Sequence, residues 1–210
     1  MKFVFTLIIL GVLLVSCATS ASPPILPSLT SETFLIMGEG KIPVNSLALF
    51  ILKHNPKLNL FYAVKMARIY REEAAFEGVN ADVAFAQMCL ETGYLKFCGT
   101  VTPDQNNFCG LGTISRDVPG ERFGSMREGI RAQIQHLKAY GSTLDLVNPC
   151  IDTRFKYVKR GIAPTIFDLA GRWATNTEYG VIIKGILERL YDYNLNVYDI
   201  CLPRYGIGSI

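Results

Sequence analysis

The residues of most chemical interest lie between Asn80 and Gly112, in the stretch NADVAFAQMCLETGYLKFCGTVTPDQNNFCGLG. Glu91 ends a largely apolar run in which Val83, Ala86 and Leu90 form one stripe at helical spacing and Ala84, Gln87 and Glu91 the next. Asn80 is placed to cap that helix, Asp82 suits the positive end of its dipole, and Thr92-Gly93 stops it. A carboxyl in the last turn of such a helix is half withdrawn from water. Its neutral form is favoured there, and it becomes a proton donor. A solvated helix-end glutamate is the plainer reading. The turn-rich NNFCGLG that follows is suited to closing a cleft beside the helix end, and it favours the donor.

The elements that must hold this site can be read from caps and apolar spacing. Asn45 is expected to cap a short helix, Ser46–His54, that ends before Asn55-Pro56. An amphipathic helix follows over Asn59–Glu77 with Gly78 as its stop, and the short Gly78-Val79 link makes it pack against the Glu91 helix as an antiparallel pair. Ser125 and Glu128 form a capping box for a helix to Tyr140, with Met126, Ile130, Ile134 and Leu137 on its buried stripe. Thr165, reinforced by Asp168, opens a helix over Ile166–Ala174 that carries the single tryptophan, Trp173. A break at Thr175–Tyr179 precedes a last helix from Tyr179 to about Tyr193. The segment from Gly112 to Arg122 reads as a short hairpin or loop lip, and it contains the carboxylates Asp117 and Glu121. His136, alone on its helix, is read as a packing or surface residue and left out of the site. The fold class is therefore mainly α, in one domain without an internal repeat.

Composition narrows the function classes. The chain has 210 residues, half of them hydrophobic, and a net charge of +3 without long basic runs. That supports a globular core and gives no support to nucleic-acid binding. Met1–Cys17, MKFVFTLIILGVLLVSC, has a minimal charged start and an apolar run too short to span a membrane comfortably. Leu14-Val15-Ser16-Cys17 resembles a bacterial lipobox, which makes 1–17 a signal peptide and Cys17 a lipid-modified N-terminus. A plain secretory cut after Ala21 is the alternative. Residues 18–35 read as a tether and 36–210 as the folded domain. Export permits disulfides, and Cys98, Cys109, Cys150 and Cys201 fall in loops or the tail, open to three pairings. Cysteine and histidine spacing offers no metal site, and no cofactor is expected.

The pair AFAQMCLETGY and NNFCGLG resembles the signature of the exported bacterial peptidoglycan glucosaminidases of the lysozyme superfamily. FGSMREGIRAQIQHLKAY, NPCIDTRFKYVKRG and DLAGRWATNTEYG follow in the family's order. The resemblance covers about Ile36 to Tyr193. It implies a lysozyme-like helical domain that cleaves the β-1,4 bond after N-acetylglucosamine in peptidoglycan, with Glu91 as the general acid. The second catalytic group would be Glu121 or Asp117 in an unusually short lip, or the 2-acetamido group of the substrate itself. Tyr179 matches the family's cleft tyrosine, able to orient the acetamido group or a water. Asn107 and Phe108 would shape the cleft floor, and Trp173 would line the groove. A lytic transglycosylase of the same superfamily and an inactive wall-binding lipoprotein are the alternatives. The expected partners are glycan strands and, through Cys17, a membrane facing the periplasm or wall, with the protein a monomer. Cys98 is expected to pair with Cys109, and Cys150 with Cys201, the first bond fixing the cleft floor against Glu91.

Overall fold

The computed structural model describes residues 27–113 and 120–201, with side chains to residue 196. Five α-helices carry the fold: α1 (Val44–His54), α2 (Leu60–Glu77), α3 (Ala81–Glu91), α4 (Met126–Gly141) and α5 (Tyr179–Cys201), joined by four short 3-10 turns. No strand forms among the described residues, only three isolated bridges. The central member is α3. It touches α2, α4 and α5, and every residue from Ala81 to Cys89 is buried. A helix covered on all sides needs apolar or internally satisfied residues on all sides. This explains why its sequence shows no polar face.

Caps do what their residue types allow. The Asn59 side chain accepts from the amides of Phe61 and Tyr62, Asn80 from those of Asp82 and Val83, and Ser125 from that of Glu128. Gly78 ends α2 in the left-handed region at φ 70°. Elsewhere local signals gave way. The first helix starts at Val44 with Pro43 before it, so Asn45 lies inside the helix rather than capping it. Glu128 bonds the amide of Gly124 instead of closing the box on Ser125. The helix expected over Ile166–Ala174 is only a 3-10 turn, Ile166–Leu169. Ala170 turns extended and Gly171 takes φ 72°, so Trp173 sits in a loop. The last helix is longer than expected and reaches Cys201. At the other end, Thr33 is buried and its carbonyl accepts from the Asn80 side chain, so the fold begins before residue 36.

Three ion pairs on two buried glutamates fasten α2 to α4. Glu73, without exposed surface, accepts from Arg127 and Arg131, and Glu77, equally buried, accepts from Lys138 at 2.9 Å. Glu77 also takes the amides of Val147 and Asn148, which ties the loop after α4 to the same point. Asp82 does more than face the helix dipole. It accepts from the amides of Lys41 and Ile42 and from the Tyr191 hydroxyl, joining the N-terminal segment, α3 and α5. Burial nevertheless outweighs these bonds and raises its pKa. No helix among the described residues is long and apolar enough to cross a membrane.

Candidate active site

The site forms where two helix ends meet. Glu91 is the last residue of α3 and Tyr179 the first of α5, and these helices pack together. Beyond Glu91 the chain leaves the helix in an unusual run: Gly93, Tyr94, Leu95 and Phe97 all have φ between 50° and 60°. A non-glycine residue in that region costs about 1–2 kcal/mol, so something must hold it. The Thr92 hydroxyl bonds the Met88 carbonyl and receives the Leu95 amide, while the Asn55 side chain bonds the carbonyls of Tyr94 and Leu95. The pinned turn carries the backbone away from the helix end. It leaves Glu91 on the wall of a cavity of about 290 Å³, lined also by Phe97, Val101, Gly110, Thr113 and Trp173.

Within this wall the Tyr179 hydroxyl donates to Glu91 Oε1. Burial is the largest influence on Glu91 and raises its pKa above the usual carboxylate range, against the opposing bonds from Tyr179 and Trp173. The same burial, with Glu91 beside it, pushes Tyr179 well up. A carboxyl that keeps its proton more readily than an exposed one, at the edge of a cavity, is equipped for general acid catalysis. Tyr179 receives the Gln87 amide at 3.1 Å while donating to Glu91, so its hydroxyl is engaged from both sides. It holds the Glu91 carboxyl in place.

Trp173 lines this cavity and also an adjoining one of about 190 Å³, which takes in His136, Arg154 and Arg172. His136 bonds Asp152 through Nδ1 at 2.7 Å and meets the Trp173 ring edge to face at 4.9 Å. The histidine read as a packing or surface residue therefore braces the tryptophan. Asn107 and Phe108 lie beneath the cleft instead of in it. Asn107 is fully buried, its Nδ2 bonding the carbonyls of Leu111 and Glu121 and its Oδ1 the Leu111 amide. Phe108 has no exposed surface to offer a sugar and belongs to the core. Glu121 does not line the cavity with Glu91. Its carboxylate accepts from the Thr153 hydroxyl at 2.9 Å and its chain lies against Gly112. Asp117, most of the expected lip and Cys17 fall outside the described residues.

The cysteines depart from expectation. Cys98 and Cys109 are both free thiols, as is Cys150. Cys109 is buried against Leu111, Phe123 and Ala132, whereas Cys98 is exposed with its sulfur toward the Lys96 carbonyl. Packing draws one inward while the left-handed turn carries the other out. The Cys201 side chain lies outside the described residues.

Comparison with known proteins supplies the family. A family described as mannosyl-glycoprotein endo-beta-N-acetylglucosaminidase matches residues 67–192. The chain belongs to this glucosaminidase family. Its match takes in α3, α4 and most of α5, and so includes both Glu91 and Tyr179. A Borreliella burgdorferi protein described only as uncharacterized is 44% identical to this glucosaminidase over 159 residues, 76% of this chain and 78% of the relative. Among solved structures it is similar to S. aureus autolysin E, crystallised with the muropeptide NAM-L-Ala-D-iGlu. That likeness is at 12% identity and a TM-score of 0.49, covering 77% of this chain and 72% of the other. As a member of the family this is a glycoside hydrolase.

Sequence reasoning passed over Gln87, Gln133 and Tyr70, which connect to Tyr179 through the core. One signal for Gln87 was available: it stands one turn before Glu91, on the same stripe of a helix that is otherwise apolar around it.

Proposed function

We propose that this glucosaminidase hydrolyses the β-1,4 bond after N-acetylglucosamine in peptidoglycan, with Glu91 as the general acid, and remodels the cell wall as an exported lipoprotein anchored through Cys17. The observation that carries the reading is Glu91 itself: a half-buried carboxyl with a raised pKa, held by Tyr179 at the edge of an open cavity. Protonating the departing sugar oxygen is what such a group does best.

Among the described residues, Glu91 is the single carboxylate lining its cavity, and Glu121 is engaged by Thr153. This supports a substrate-assisted route. As Glu91 gives its proton to the leaving oxygen, the carbonyl oxygen of the 2-acetamido group bonds the anomeric carbon. Water then attacks that carbon, returns a proton to Glu91, and releases a reducing N-acetylglucosamine. The guanidinium groups of Arg154 and Arg172 line the adjoining cavity with Trp173 and suit the acidic stem substituents of a wall polymer.

Mass spectrometry of digested peptidoglycan tests the reading. Reducing N-acetylglucosamine ends are expected. Anhydro-MurNAc ends would make the protein a lytic transglycosylase, and unchanged glycan would make it a wall-binding protein.

A further inference from the structure

Tyr179 is the last link of a chain of four hydrogen bonds that starts on the far side of the core. The Tyr70 hydroxyl on α2 donates to Gln133 Oε1 at 2.6 Å, and Gln133 Nε2 on α4 donates to Gln87 Oε1 at 2.9 Å. Gln87 Nε2 on α3 donates to the Tyr179 oxygen at 3.1 Å, and Tyr179 on α5 donates to Glu91 Oε1. Tyr70, Gln133 and Gln87 have no exposed surface, and Tyr179 has almost none.

A glutamine amide can often be placed either way round. Here one group decides. Gln133 Nε2 also meets the Ala84 carbonyl at 3.0 Å, and a carbonyl only accepts. That fixes Gln133 with its nitrogen toward α3 and its oxygen toward Tyr70, which must therefore donate. Gln87 then receives on its oxygen and gives from its nitrogen. Tyr179, receiving that N–H, has one place left for its own proton, and that is Glu91 Oε1. Every bond in the chain points toward the carboxyl.

With Oε1 committed to Tyr179, a proton carried by Glu91 is directed to Oε2, with Trp173 the other side chain that bonds this carboxyl. That oxygen lies beside Gly110, where an added Cβ would stand 3.8 Å from it, and Gly110 lines the cavity. We propose that Gln87 and Gln133 are positioning residues: they lock Tyr179 as a one-way donor to Glu91 Oε1 and so reserve Oε2, on the cleft side, for the proton given to the leaving sugar oxygen. The proposal rests on Glu91 being the acid. A purely structural staple would need the four groups satisfied but would have no effect on how Glu91 holds its proton. The titratable groups near Glu91 are Tyr179 on α5 and the Cys109 thiol in the turn, both raised by burial.

The test is a carbon-13 NMR titration of the glutamate carboxyls in the folded protein, with the Glu91 signal assigned by its loss in Glu91→Gln. Tyr179→Phe removes a donor to the carboxylate, so the Glu91 midpoint moves to higher pH. Gln87→Met moves it the same way by less, and the double variant matches Tyr179→Phe alone because both act through one bond. On peptidoglycan, Gln87→Met lowers kcat about 2- to 12-fold with KM unchanged, the scale of one neutral hydrogen bond. Should Gln87→Met not fold, Tyr70→Phe, which removes only the far hydroxyl, is read for a smaller shift in the same direction. An unmoved Glu91 midpoint in these variants, or full additivity in the double, overturns the proposal. The titration needs no turnover, so a parent protein that cleaves no glycan would sink the assignment of function while the chain is still judged.

Discussion

Replacing Lys138 by Met tests the energetics that hold α2, α4 and the following loop together beneath the site. Lys138 and Glu77 are 4% and 0% exposed and 2.9 Å apart. The substitution keeps most of the side-chain volume but leaves Glu77 buried with two backbone N–H partners and no counter-charge. Breaking a buried pair in this way costs about 3–5 kcal/mol. With a urea slope of about 2 kcal/mol per M, the midpoint at neutral pH falls by roughly 1.5–2.5 M. The pH dependence adds a sign. In the parent, burial is the largest influence on Glu77 and raises its pKa, but Lys138 and the two amides together outweigh it, and the net folded value is depressed. Its stabilisation is therefore present above the ordinary carboxylate range and lost as pH falls through the lowered value. Without Lys138 the folded value rises, so acidification relieves the variant. The stability gap between parent and variant should be widest near neutrality and shrink toward about pH 4. A midpoint shift below about 0.5 M, or a gap that widens on acidification, would refute the reasoning.

Gly129→Ala should be severely destabilising, because a Cβ there would stand 1.7 Å from the Asn106 carbonyl oxygen and push α4 off the Asn106–Gly112 turn; thermal unfolding reads the loss, and a Tm within about 2 °C of the parent would show that the two do not press together. In the folded protein without reductant, Cys98 should react quickly with a thiol reagent while Cys109 stays unmodified until unfolding; protection of both until reduction would mean that they are bonded after all. Glu121→Gln should keep most glycan cleavage, since its carboxylate is turned to Thr153; a loss there, or in Asp117→Asn, would restore a second carboxylate to the mechanism.

What the sequence made legible was local chemistry. Gly78, Asn80 and Ser125 each act on their own neighbours, and the structure uses them as their types suggest. Glu91 and Tyr179 stand 88 residues apart and were joined through the family pattern, because no spacing rule links positions so distant. The failures are tertiary. Ile166–Ala174 carries a good start signal, yet a left-handed Gly171 stops the helix and frees Trp173 to reach the cleft. Phe108 was placed on the cleft floor by the family resemblance, but packing takes it into the core. Gln87 and Gln133 could not be joined from sequence, since their partners lie on four different helices.

Proton donation by Glu91 can be tested directly. The direct measurement compares parent and Glu91→Gln on purified peptidoglycan, counting new reducing ends, with circular dichroism to confirm that both are folded. An amide keeps the shape and can still accept from Tyr179, but it has no proton to give. Release should fall by at least about 10²–10⁴-fold while the helical signal is retained. A folded Glu91→Gln that releases ends at the parental rate would contradict the account.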